Sequence, residues 1–134
     1  MATTNRGTRK QTFERVPGIA APVVKVCLGN AVKKLQHDPA WEHGRSSRTL
    51  AKYPDFRAVL VTMKAGTTME EHKTEGSISV HTLTGQVRLS VGKERVDIPA
   101  DHVVMLYSNL PHSVEALVDS SFLLTIAWHE PAET

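Results

Sequence analysis

Gly66-Thr67-Thr68-Met69-Glu70-Glu71-His72-Lys73-Thr74, with Gly85 closing the strand that follows, is the stretch that decides the fold. It reads as a turn, a strand ending on a histidine, and a second strand running into another turn. His112 follows Pro111 further on, again at the mouth of a strand. Histidines at the ends of two separate strands can meet across a small β-barrel and seed a metal or ligand site there. Function is therefore sought first between these two side chains.

The neighbouring segments carry the same strand signature. Arg57 to Lys64 packs Ala58, Val59, Leu60, Val61 and Met63 into one short apolar run, as expected for a strand covered on both faces. Ile78 to Leu83 and Gln86 to Val91 follow, and Gly92-Lys93 is a two-residue link with glycine first, as a type II′ hairpin prefers. Val96 and Ile98 alternate on the return strand, and Val103 to Tyr107, Ser113 to Leu117 and Phe122 to Trp128 complete the set. Turn signals recur about every 8–12 residues, which reads as an all-β sandwich or barrel.

Upstream the pattern changes. Residues 1–17 are polar and basic and end at Pro17-Gly18, an N-terminal arm preceding one barrel domain over 18–134. Val23 to Leu28 reads as a strand, and Asn30 as the cap of a short helix from Ala31 to His37 that Asp38-Pro39 stops. Trp41 is expected to pack this segment onto the body, and Arg48 to Lys52 is a weak strand ending at Pro54-Asp55.

Composition narrows the function classes. At 134 residues the chain is long enough for one core and short for two. A net charge of +2 provides no concentrated basic face for nucleic acid. No apolar run approaches the roughly 20 residues that span a bilayer, and Met1 to Thr12 lacks the apolar centre of a secretory leader. The single Cys27 has no internal partner, which suits a reducing, cytoplasmic address, and it reads as a small buried hydrophobe.

Gly66 to Trp128 resembles the cupin superfamily, whose small jelly-roll barrels carry two signature motifs. Gly66, His72 and Gly85 match the glycine, first histidine and closing glycine of the first motif. Thr74 stands where the second histidine belongs and Ile78 where the glutamate belongs. In the second motif His112 matches the histidine, while Asp101 and Asn109 take the two glycine positions, Tyr107 the proline and Ala116 the asparagine. The resemblance implies a cupin-type jelly-roll β-barrel and a homodimer. It also implies a divalent metal (iron, manganese, nickel, copper or zinc) held by three histidines and a glutamate.

Two of those four ligands remain, His72 and His112. Structural zinc takes four protein ligands, catalytic zinc three, and facial-triad iron two histidines and a carboxylate. A metal here needs an improvised third ligand, for which Glu71 and Glu75 are the candidates. His81 is expected to point outward by strand parity with Ile78, and His102 to be a turn residue. His37, His43 and His129 carry no role. The expected pocket wall is Met63, Met69, Thr74, Ile78, Val80, Leu89, Tyr107, Val114 and Leu124, mostly apolar, with His72, His112, Thr74 and Tyr107 as polar handles. That lining suits a small, largely apolar molecule. The first expectation is thus a non-catalytic or sensory binding module. Others are a metal-dependent dioxygenase, isomerase or lyase, metal-free acid–base catalysis by the histidines, and an assembly domain with Phe122 or Trp128 in the interface.

Overall fold

Two antiparallel sheets stack face to face in the computed structural model, which describes residues 18–128. The N-terminal arm and His129 lie outside the described residues. Among the described residues nine strands run in chain order: β1 Arg45–Tyr53, β2 Phe56–Met63, β3 Thr68–His72, β4 Ser77–Thr84, β5 Gln86–Val91, β6 Glu94–Pro99, β7 Val103–Leu106, β8 His112–Ala116 and β9 Ser120–Ala127. One sheet has the order β1-β2-β9-β4-β7 and the other β3-β8-β5-β6. This is a jelly-roll barrel, and one short helix, α1 (Leu28–Gln36), lies outside it.

The barrel interior is filled by alternate residues of both sheets. Val61, Met63, Ile78, Val80 and Phe122 come from one, and Val87, Leu89, Ile98, Val114 and Ala116 from the other. A second core lies on the outer face of the five-stranded sheet. There Leu28, Ala31, Val32 and Leu35, spaced along one helical face, press α1 onto Leu50, Ala51, Ala58 and Leu60. This explains the unbroken apolar run of β2: Val59, Val61 and Met63 face the barrel while Ala58 and Leu60 face α1. Ser46 donates its hydroxyl proton to the Leu35 carbonyl at 2.8 Å and ties the end of α1 to β1.

Several upstream expectations are corrected. Val23 to Cys27 joins neither sheet, and Val23 is 79% exposed. The apolar side chains Val26 and Leu28 serve the outer core instead of a strand ladder. The helix begins at Leu28, before Asn30, and its N-cap Cys27 makes no side-chain cap bond. Cys27 is exposed, not buried. Trp41 lies in a 3-10 turn, Pro39–His43, half-buried beneath the Lys64 ammonium, 5.6 Å from the ring centre. Phe122 is 1% exposed and belongs to the barrel core, and Trp128 is half-buried with the Arg57 guanidinium 5.4 Å from its ring. Neither side chain is placed to lead an interface.

Candidate functional site at the barrel mouth

β3 and β8 pair antiparallel with His72 directly opposite His112. A register shift between Met69 and His72 absorbs an extra residue in β3 and returns His72 to the inward face. The two rings lie 4.5 Å apart between centroids, tilted by 59°. His112 is 4% exposed and shares the inner face of β8 with Val114 and Ala116, whereas His72 is exposed at the rim.

Each ring is held by the backbone carbonyl two residues before it. The Nδ1–H of His72 donates to the Glu70 carbonyl and that of His112 to the Leu110 carbonyl, both at 2.9 Å. A carbonyl oxygen only accepts, so Nδ1 carries the proton in both residues. Each neutral ring then keeps its acceptor lone pair on Nε2. The chemistry on offer is two nitrogen acceptors, one sheltered and one wet.

The two motifs are laced together around this pair. The Gly66 amide donates to the Ala116 carbonyl at 2.8 Å and the Ala116 amide to Thr67 at 3.0 Å, closing the far end of β3 and β8. At the histidine end the Asn109 amide donates to the Thr74 carbonyl at 2.8 Å. Gly66 and Gly85 have φ of 85° and 79°, and among the described residues the only non-glycine positions with positive φ are Asp101 at 68° and Asn109 at 65°. Asp and Asn tolerate the left-handed region better than other side chains, and they stand where the second motif places glycines.

The strand register sorts the remaining candidates. Ile78 is 4% exposed, pairs with Ile126 and Leu106, and faces inward at the same end as the histidines. Val80, Leu89 and Val114 lie deeper, each no more than 4% exposed. His81 alternates with buried Val80 and Thr82 and faces outward. His102 is a turn residue, its Nδ1–H donating to the Ala100 carbonyl at 3.0 Å. Thr74 sits half-buried in the link after β3.

Two candidates are moved. Met63 ends β2 and leads through Lys64 to Thr67 into the start of β3, so it lies at the opposite end of the barrel from His72. Tyr107 is 69% exposed, because it continues the outward parity of Val103 and Met105 on β7. Neither belongs to the wall beside the histidines. The residues missed from sequence are Val91, Leu106 and Ile126, inward-facing yet only partly buried, while Val87, Ala116 and Phe122 at the other end are 0–1% exposed. Partial burial extends into the middle layer at Val59, Met69, Val96, Val104 and Leu124, so the barrel is packed most tightly at the end remote from the histidines. Strand parity with Ile78 would have found Leu106 and Ile126.

The donor set does not fit the four-ligand metal centre. Ile78 presents hydrocarbon where a carboxylate is required, and Thr74 a hydroxyl where an imidazole is required. Glu71 and Glu75 are exposed, and among the described residues no group of three or more His, Cys, Asp or Glu side chains converges.

Solved structures with this architecture are numerous, although no protein-family model and no curated protein matches the chain. An RmlC-like cupin from Desulfovibrio desulfuricans aligns at 26% identity and a TM-score of 0.59, over 64% of this chain and 84% of its own. The fold is that of the cupins. A cupin superfamily protein from Desulfitobacterium hafniense aligns at 17% identity and a TM-score of 0.61, over 63% of this chain and 77% of its own. KdgF from Halomonas sp. aligns at 20% and 0.58, over 67% and 82%. No described helix is long and apolar enough to cross a membrane.

Proposed function

We propose that this cupin is a binding module that takes a small, largely apolar molecule into the histidine end of its barrel. The supporting observation is the pairing of His72 with His112 beside the partly buried, apolar Val91, Leu106 and Ile126, with no third ligating side chain beside them among the described residues. Val91, Leu106, Ile126 and Ile78 supply the apolar wall, and the two Nε2 atoms supply acceptors for one hydroxyl, N–H or protonated acid on the ligand. The deeper barrel is filled by side chains, so the ligand occupies the mouth and does not thread the core. Small size and one polar group are the limits this sets on the ligand.

The test is a thermal-shift screen of compact apolar alcohols, phenols and carboxylic acids, followed by titration of any hit. A ligand present at about 100 times its Kd raises stability by about 2.7 kcal/mol. His112→Ala removes the sheltered acceptor and should abolish that shift while the free variant stays folded. A hit whose shift survives both His112→Ala and His72→Ala would refute this placement.

One observation favours a second reading, a metal-dependent enzyme. Backbone carbonyls hold both Nδ1–H groups, the arrangement that orients ligating histidines elsewhere. It needs a third ligand from outside the described residues or from a substrate. Near-stoichiometric iron, manganese, nickel, copper or zinc in the purified protein, lost in His112→Ala, would establish it and displace the first reading.

A further inference from the structure

Alternation along β2 puts a charge where hydrocarbon is expected. Met63, Val61 and Val59 face the barrel, and the next residue on that face is Arg57. The register agrees. Val61 pairs with Phe122, Val59 with Leu124 and Arg57 with Ile126, and directly paired residues share a face. Ile126 packs against the barrel core, so Arg57 lies beside it on the inward side. Met63 ends β2 remote from the histidines, so Arg57, near the start of the strand, belongs to the histidine end.

The guanidinium there is short of acceptors. Its Nε–H is buried without a hydrogen-bond partner, and among the described residues no carboxylate forms an ion pair with it. Trp128, two residues beyond Ile126, lies against it with the guanidinium carbon 5.4 Å from the ring centre. That contact steadies the cation but offers no oxygen. Holding Trp128 alone would not require arginine, since a lysine stem covers a ring without placing an unpaired Nε–H in the interior. A permanently charged group with a buried, unpaired donor is costly to fold, and here it stands at the same end of the barrel as His72 and His112.

We propose that Arg57 selects the ligand, a small apolar carboxylate whose two oxygens accept from the Nε–H and one Nη–H. These two donors project in parallel from one edge of the guanidinium, the geometry that a carboxylate meets with both oxygens at once. Lys52, opposite Arg57 on β1, is exposed, so one sheltered cation meets the ligand. That matches the single charge of a carboxylate and falls short of a phosphate dianion. Ile78, Leu106 and Ile126 take the hydrocarbon body, and the imidazoles take any hydroxyl it carries. The inference rests on the ligand reading above and adds an anionic group to it.

Titration calorimetry on the full chain at neutral pH tests it, with benzoate, 4-hydroxybenzoate, cyclohexanecarboxylate and their primary amides as probes. At least one acid should bind wild type, its amide at least about thirtyfold more weakly, roughly 2 kcal/mol. Arg57→Gln should bring that acid and amide within about threefold of each other. Arg57→Lys keeps the charge and loses the fork, and should retain only part of the preference. Circular dichroism checks that each variant is folded, and if Arg57→Gln does not fold, the reduced preference in Arg57→Lys decides. His112→Ala should weaken acid and amide alike and leave their ratio unchanged. A wild type that binds none of the acids, or binds acids and amides equally, overturns the inference, while amides that need His112 would keep the binding-module reading. An acid preference that survives both Arg57 substitutions overturns it as well. An acid preference that Arg57→Gln removes and neither histidine substitution weakens upholds the role of Arg57 and refutes the placement between the imidazoles.

Discussion

Thr62 and Thr82 are both fully buried, and the same substitution should move stability in opposite directions at the two sites. Ser46 gives its only hydroxyl proton to the Leu35 carbonyl, so the 2.7 Å contact between Ser46 Oγ and Thr62 Oγ1 has Thr62 as donor. The Ser46 carbonyl lies 3.3 Å from the same hydroxyl. Thr62→Val keeps the shape, deletes this bond and leaves the Ser46 oxygen one donor short, a loss of about 1 kcal/mol or somewhat more. The Thr82 hydroxyl, facing the barrel core opposite Phe122, has no hydrogen-bond partner. Its desolvation is already part of the folded state, so Thr82→Val should recover about 1–3 kcal/mol. At about 4 °C per kcal/mol for a domain of this size, Thr82→Val melts several degrees above wild type and Thr62→Val several below. Calorimetry, with urea titrations to check an unchanged m-value, measures both. If Thr82→Val destabilises by as much as Thr62→Val, the Thr82 hydroxyl is satisfied in solution and the reasoning from burial and pairing is wrong.

The motif glycines separate two kinds of constraint. Gly66→Ala, where nothing lies within 4 Å of the added carbon, should lose only the left-handed strain, about 1 kcal/mol. Gly85→Ala adds a carbon 2.8 Å from Ser120 Cα and closer still to the Asp119 carbonyl, and should lose at least about 3 kcal/mol in a urea titration. Asn109→Gly should fall within about 0.5 kcal/mol of wild type and Asn109→Ala about 1 kcal/mol below it by the same measurement. Across the β5–β6 hairpin the Arg88 guanidinium, bonded to Asp97 at 2.6 and 3.1 Å, holds that carboxyl below its ordinary range. A depressed folded-state pKa stabilises above the unfolded value, about 3.9, and fades as pH falls through the folded one. Asp97→Asn should therefore melt slightly below wild type at pH 7 and match it once the Asp97 carboxyl is protonated in both the folded and unfolded states, with the small amplitude of an exposed pair.

What the sequence made legible was the part that depends on local pattern. Alternation in β4 and β5, the Gly92-Lys93 turn and the doubly covered β2 follow from side-chain period and turn chemistry. The meeting of His72 and His112 followed from motif positions, and the left-handed backbone at Asp101 and Asn109 explains how a second motif without its glycines still folds as one. The misplaced residues depended on non-local facts. Val23 to Leu28 has the composition of a strand, but β1 already takes the sheet edge that α1 and its leading segment pack over. Tyr107 was assigned by motif position to the wall, yet parity from Ile78 through its partner Leu106 turns it outward. Met63 faces inward as expected but at the end of its strand remote from the histidines, a matter of chain direction that periodicity does not encode.

The ligand loss itself divides along the sheet boundary, which makes it testable by reversal. His72 and His112 are neighbours within one sheet, fixed by the β3–β8 register whatever lies opposite. Ile78 belongs to the other sheet and closes the core against Ile126 and Leu106. Replacing a carboxylate by isoleucine there exchanges a metal ligand for apolar packing and leaves the histidine pair standing. The double variant Thr74→His with Ile78→Glu restores the ligand types that the resemblance implies. Without metal it should be several kcal/mol less stable than wild type, since a carboxylate then lies buried and unpaired. A divalent ion at about 1,000 times its Kd should return about 4 kcal/mol. The expected result is therefore a melting temperature that depends on metal in the double variant and not in the Ile78→Glu, His112→Ala control. If zinc, manganese and nickel leave the double variant's melting temperature unmoved, positions 74 and 78 do not converge on the imidazoles, and the correspondence between this chain and the cupin ligand set fails at those two residues.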